Sequence, residues 1–63
     1  MVSIKFGEPG IAHTIANIVR SRYRARGEGV RIQVKGNTVI VTGSVAKSIE
    51  AAAKSHGADC SRV

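Results

Sequence analysis

The sequence predicts an α+β fold: a β-α-β-β-α two-layer sandwich with a three-stranded sheet and both helices on one face. Three observations predict it. Residues 2–6 and the runs 30–35 and 38–42 alternate apolar and polar side chains, the period of strands with one buried face. Residues 11–24 and 45–53 repeat apolar side chains every three to four positions, the period of helices lying on such a face. A chain of 63 residues has room for one small domain, 1–63, and not for two.

In the first strand Val2, Ile4 and Phe6 share one face. Gly7-Glu8-Pro9-Gly10 stops it, because Pro9 has no ladder donor and the glycines allow a tight turn. Ile11, Ile15, Ile18 and Val19 then mark the buried stripe of a helix that runs to about Arg24, with Gly27 as its exit. Gly36-Asn37 joins the two later strands as a two-residue loop that suits a type II′ hairpin. That register sets Lys35 opposite Thr38, Val34 opposite Val39, Gln33 opposite Ile40 and Ile32 opposite Val41. Val30, Ile32 and Val34 are therefore expected to face Val39 and Val41 under Ile15, Ile18, Ile49 and Ala52. Ser44 is the expected N-cap of a second helix, with Val45, Ile49, Ala52 and Ala53 buried, Glu50 and Lys54 paired outside, and Gly57 as the stop. His56 falls near the buried stripe as a half-buried packing residue. Residues 58–63 are a short tail or a last edge strand.

Ten Lys and Arg stand against four Asp and Glu, a net charge of +6. An excess that large on so short a chain suits a polyanionic partner. Arg20, Arg22, Arg24, Arg26 and Arg31 fall within twelve residues, and Arg outnumbers Lys six to four. Arginine forks onto phosphate and stacks on bases, so the clustering favours a site over plain solubilising charge. A wheel at 100° per residue puts His13, Asn17, Arg20 and Arg24 on the helix side away from Ile15 and Val19. Arg26, Arg31 and Lys35 continue that charge into the loop and hairpin. A strand of nucleic acid crossing from helix to hairpin would touch both sets.

The other candidates are weaker. Glycines ahead of a helix can expose amides to a phosphate, yet Glu8 would repel it, and Gly and Pro are turn residues first. Tyr23 and Phe6 are the only aromatics, so stacking of bases is poor, and Tyr23 lies nearer the buried side of its helix. Ile40 on the open sheet face is a contact for a second copy, a homodimer, or an apolar platform for a base, although one exposed isoleucine is ordinary. His13, His56, Ser55 and Cys60 form no nucleophile, base and orienting acid set, and no enzyme, metal or cofactor is expected. A single cysteine, Cys60, rules out an internal disulfide and fits a reducing compartment. No run approaches the roughly 20 apolar residues of a membrane span, and no signal-peptide pattern is present. A cytoplasmic location is the expectation.

The run Ile4-Lys5-Phe6-Gly7-Glu8-Pro9-Gly10, the helix with Ile11, Ile15 and Ile18, the hairpin ending Val39-Ile40-Val41-Thr42-Gly43 and the helix from Val45 to Ala53 together resemble a KH domain. The resemblance covers about residues 4–57. It implies an RNA-binding or single-stranded-DNA-binding module of reduced KH-like fold. Gly7 and Gly10 would then match the loop that clamps backbone nucleotides, with Lys5 just before it. The first helix would form one wall of the groove and the basic hairpin the other. Residues 32–63 are also similar to a BON domain, in which a hairpin of Val-x-Val-Thr-Gly-Ser-Val spacing leads into a helix and a final strand. That resemblance implies association with membranes or other proteins and gives Arg20 and Arg24 no role. The expected function is binding of single-stranded RNA, with single-stranded DNA second, mainly through phosphates, and the BON-like module is the alternative.

Overall fold

The computed structural model describes residues 1–63. Its elements are β1 (Val2–Phe6), α1 (Pro9–Ala25), β2 (Gln33–Lys35), β3 (Thr38–Val41), α2 (Gly43–Ser55) and β4 (Cys60–Arg62). The sheet has four antiparallel strands in the order β2-β3-β1-β4. Each helix connects two parallel strands with a third strand between them, the split β-α-β arrangement. The α+β class and both helices agree with the sequence; the count of three strands does not. The fourth is β4, the last edge strand that the sequence left as the alternative to a tail, and it occupies the free edge of β1 through Phe6↔Cys60, Lys5↔Ser61 and Ile4↔Arg62.

The hairpin register follows the expectation, with Gln33↔Ile40, Val34↔Val39 and Lys35↔Thr38. Gly36 takes φ +58° while Asn37 has no positive φ, the sign pattern of a type II′ turn. Asn37 also fastens the hairpin to β1. Its carbonyl accepts from the Phe6 amide at 2.7 Å and its side-chain Nδ2 donates to the Phe6 carbonyl at 2.8 Å.

Residues 30–32 lie outside the ladder, although their alternation predicts strand. The shared register would set Ile32 opposite Val41, Arg31 opposite Thr42 and Val30 opposite Gly43. Thr42 and Gly43 already cap and start α2, so the partner strand has ended. α1 begins at Pro9, two residues early, because Pro suits the first helical position and the Ala12 amide reaches the Glu8 carbonyl at 3.2 Å. The N-cap of α2 is Thr42 in place of Ser44, without a side-chain cap bond.

The core is apolar throughout and contains no buried polar side chain. Ile4, Phe6, Val39 and Val41 form its floor, and Ala12, Ile15, Val19, Val45, Ala46, Ile49, Ala52 and Ala53 cover it. Val30, Ile32, Val34 and Ile18 pack only half-buried around this cluster: Val34 is on an edge strand, Val30 and Ile32 precede it outside the ladder, and Ile18 lies at the border of the α1 stripe. The first strand therefore supplies what the sequence assigns to the hairpin's first strand. His56 is the exposed C-cap of α2, one residue beyond its last turn, and is not a packing residue. Glu50 pairs with Arg62, whose Nε and Nη2 reach Oε1 at 3.0 and 2.7 Å, and not with Lys54.

This partition of the core sets the expected cost of truncation. Ile4→Ala removes a fully buried side chain from an inner strand and should cost about 2 to 5 kcal/mol. Ile32→Ala removes a half-buried one at the edge and should cost about 1 kcal/mol. Urea unfolding of the two variants measures both, and equal losses would contradict the partition.

Candidate nucleic-acid interface

The chain path sorts charge by end. β1 starts beside the last residue of β3, through Val2↔Val41, and α2 begins two residues after it. The second half of α1 meets the first half of α2, where the Tyr23 hydroxyl and Ser48 Oγ lie 2.9 Å apart. One end of the molecule therefore gathers the last turns of α1, residues 26–32, the first turns of α2 and Met1. The opposite end holds the Gly36-Asn37 turn, the start of α1 and the end of α2, which meet around Gly10, Thr14, His56 and Gly57.

Arg20, Arg22, Arg24, Arg26, Arg31 and Lys47 belong to the first end, with Glu28 as its one acidic side chain. Glu28 is already engaged, its Oε2 3.6 Å from Arg26 Nε. The α1 C-terminus favours basic residues through its dipole, and Arg22 and Arg24 occupy its last turn. The first turn of α2 carries no acidic residue, so its exposed amides add positive potential to the same end. The opposite end carries Lys35, Lys54, Glu8 and Asp59.

Of the residues singled out from the sequence, Arg20, Arg24, Arg26 and Arg31 come together here. Arg20 is half-buried and fixed in place: Nη1 donates to Asn17 Oδ1 at 3.2 Å, and Nη2 donates to the Ile32 carbonyl at 3.4 Å. Arg24 and Arg31 are exposed. Arg26 stacks over Tyr23, 4.7 Å from the ring centroid. His13 is exposed on the same helix, but eleven residues of helical rise put it about 16 Å from Arg24, towards the other end.

Lys5 and Lys35 lie elsewhere. The helices cover the sheet face carrying Ile4, Phe6, Val39 and Val41, and alternation turns Lys5 and Lys35 to the opposite face. There the register aligns Lys35, Thr38, Lys5 and Ser61 in one row across all four strands. Ile40 lies in the next row, half-buried between Gln33 and Ser3. The single groove from helix to hairpin expected from the sequence is thus two surfaces, an arginine-rich end and a sparser lysine-bearing sheet face. Gly7 is in the bend after β1, and Gly10 is inside the first turn of α1. A side chain at either would meet no atom within 4 Å. Lys47 of α2 is a further member of the arginine end, and only the antiparallel crossing of the helices reveals this.

No group of three His, Cys, Asp or Glu side chains could hold a metal ion. No helix is long and apolar enough to cross a membrane. Comparison of this chain with known family models, with curated proteins and with solved structures finds no match.

Cys60 is half-buried on β4, on the helix-facing side opposite Phe6. Burial pushes its thiol pKa upward, and the nearby Glu50 and Asp59 carboxylates add to the shift. The thiol is therefore a poor nucleophile at neutral pH. Its contribution to stability is present below the pKa of the unfolded thiol and is lost as pH rises through the higher folded value. Thiolate absorbance should appear at higher pH in the folded chain than in the chain unfolded by urea, and iodoacetamide should react more slowly with the folded form at pH 8. Equal titration in the two states would remove this account.

Proposed function

We propose that the protein binds nucleic acid, single-stranded RNA first among its forms, through backbone phosphates at the arginine-rich end. The observation that carries this reading is the gathering of Arg20, Arg22, Arg24, Arg26, Arg31 and Lys47 at one end against a single acidic side chain, Glu28, which is already paired. Phosphate neutralisation with release of counterions is the interaction such a surface supports. Both aromatics are withdrawn from base stacking. Phe6 is 1% exposed, and Tyr23 is half-buried, its hydroxyl beside Ser48 and its ring beneath Arg26. Sequence-tolerant contact follows from that, since base readout needs free aromatic faces or donors aimed at base edges. The KH-like reading of the sequence agrees on the partner, but the arginines, not the Gly7–Gly10 segment, carry the proposal. A second reading, a protein-associating or membrane-associating module of the BON kind, draws on β4, the final strand such a module has.

A labelled single-stranded RNA and a duplex DNA, each titrated across a salt series, test the first reading. Log affinity should fall linearly with log salt concentration. Arg22→Gln with Arg24→Gln should reduce the slope for single strands by about 1.4, at about 0.7 per lost contact, with melting little changed. Lys35→Gln with Lys54→Gln, at the other end, should reduce it much less. Equal reductions would show diffuse charge and no site at the arginine end. Absence of binding to either polymer at low salt would defeat the nucleic-acid reading, and binding to anionic vesicles in its place would favour the second.

A further inference from the structure

We propose that the cleft between the last turns of α1 and residues 27–30 is a phosphate-binding site, which on the reading above holds one phosphate of the bound strand. Arg20, Arg24, Gly27, Glu28, Gly29 and Val30 line it, and its volume is about 380 Å³. Val30 is its one apolar wall. Three features make it more than exposed charge.

The first is a fixed guanidinium. Arg20 is held by Asn17 and by the Ile32 carbonyl, which leaves other N–H groups of the fork to meet an anion without a further loss of side-chain freedom. Arg24, one turn later on the same helix face, is exposed and free of any ion pair.

The second is a run of unused backbone donors. The amides of Gly27 and Glu28 close the helix, donating to the Arg24 and Tyr23 carbonyls at 2.9 and 3.0 Å. Two residues of the cleft lining, Gly29 and Val30, have amides that donate to no backbone or side-chain acceptor in the fold. Successive free amides beside cations are the donor set that phosphate oxygens accept from.

The third is space and a neutralised neighbour. Gly27 takes φ +76° to leave the helix, and a side chain at Gly27 or Gly29 would meet no atom within 4 Å, so the backbone is open to an approaching group. The one carboxylate in the lining, Glu28, lies 3.6 Å from Arg26 and is offset by it. Hydrogen phosphate and an internal phosphodiester share the chemistry that this cleft recognises.

The test follows backbone amide resonances of the full chain during titration with potassium phosphate, against potassium chloride at matched ionic strength, and separately with an oligouridylate lacking terminal phosphates. Saturable shifts centred on Gly29 and Val30, with Gly36 and Asn37 unmoved, are expected for phosphate. If the oligouridylate moves the same amides, the phosphate is an internal diester; if only free phosphate does so, the cleft takes a terminal or free group. Gly29→Pro removes one donor and should weaken phosphate binding about tenfold, the size of one hydrogen bond to a charged group, while Gly29→Ala keeps the donor and the affinity. Arg24→Gln, at an exposed position where folding is not at stake, should weaken it similarly. Shifts that are linear and spread over all the arginines, or affinity unchanged in both Gly29→Pro and Arg24→Gln, would overturn the site. Retained RNA binding with no phosphate response at these amides would overturn the cleft alone. A phosphate response with no RNA binding would overturn the functional reading and leave the cleft standing.

Discussion

The pairing of β1 with β3 is the constraint on which the other parts depend. These are the two inner strands, joined from Val2↔Val41 to Lys5↔Thr38, and their buried residues are the floor on which both helices rest. Neither helix has anything to cover until that floor exists. An isolated two-stranded hairpin such as β2-β3 is marginal in water, and helices of this length are marginal alone. The pairing also closes a loop from the N-terminal strand across α1 and β2, so the entropy of that closure must be met by the burial of Ile4, Phe6, Val39 and Val41 together. Asn37 adds a polar lock at one end of the pair, using both its carbonyl and its side-chain amide on Phe6.

Much of this was legible in the residues because the relevant patterns are local. The Gly36-Asn37 turn fixed its own register, and the stripes of Ile15 with Val19 and of Val45, Ile49, Ala52 and Ala53 declared the buried helix faces. What was hidden is what depends on distant partners. β4 was legible only as one of two readings of residues 58–63, because its helix-facing side chains are just Cys60 and Arg62, and a charge paired with Glu50 of α2 breaks the apolar alternation that marks a strand. The shortening of β2 was hidden for a related reason. Val30 and Ile32 look like strand residues, and only the early start of α2 takes their partners away. The membership of Lys47 in the arginine end, and the separation of Lys5 and Lys35 from it, likewise follow from chain path and not from spacing.

The arrangement of charge has an energetic side. Six basic side chains and the amide end of α2 repel one another at one end, a cost to the folded state that the α1 C-terminal dipole and Glu28 only partly offset. A polyanion held there relieves the repulsion as well as gaining contacts. If that end takes a polyanion as proposed, binding and stability are coupled, and a chain with so thin a core is one in which that coupling is felt.

The contact between Arg20 and the Ile32 carbonyl also bears on how the molecule behaves in a crowd of its own copies. A sheet with two edge strands offers two templates for endless extension by neighbouring chains. Here one outer edge is three residues long, and its approach is occupied by a cationic head group lying across the carbonyl just before it. The other edge is equally short and carries Arg62 clasped to the helix above. Fibril-like stacking would have to displace guanidinium groups at both borders and bring two strongly positive bodies together. Arg20, which belongs to the anion-attracting end, thus also stands guard at one border of the sheet, as Arg62 does at the other.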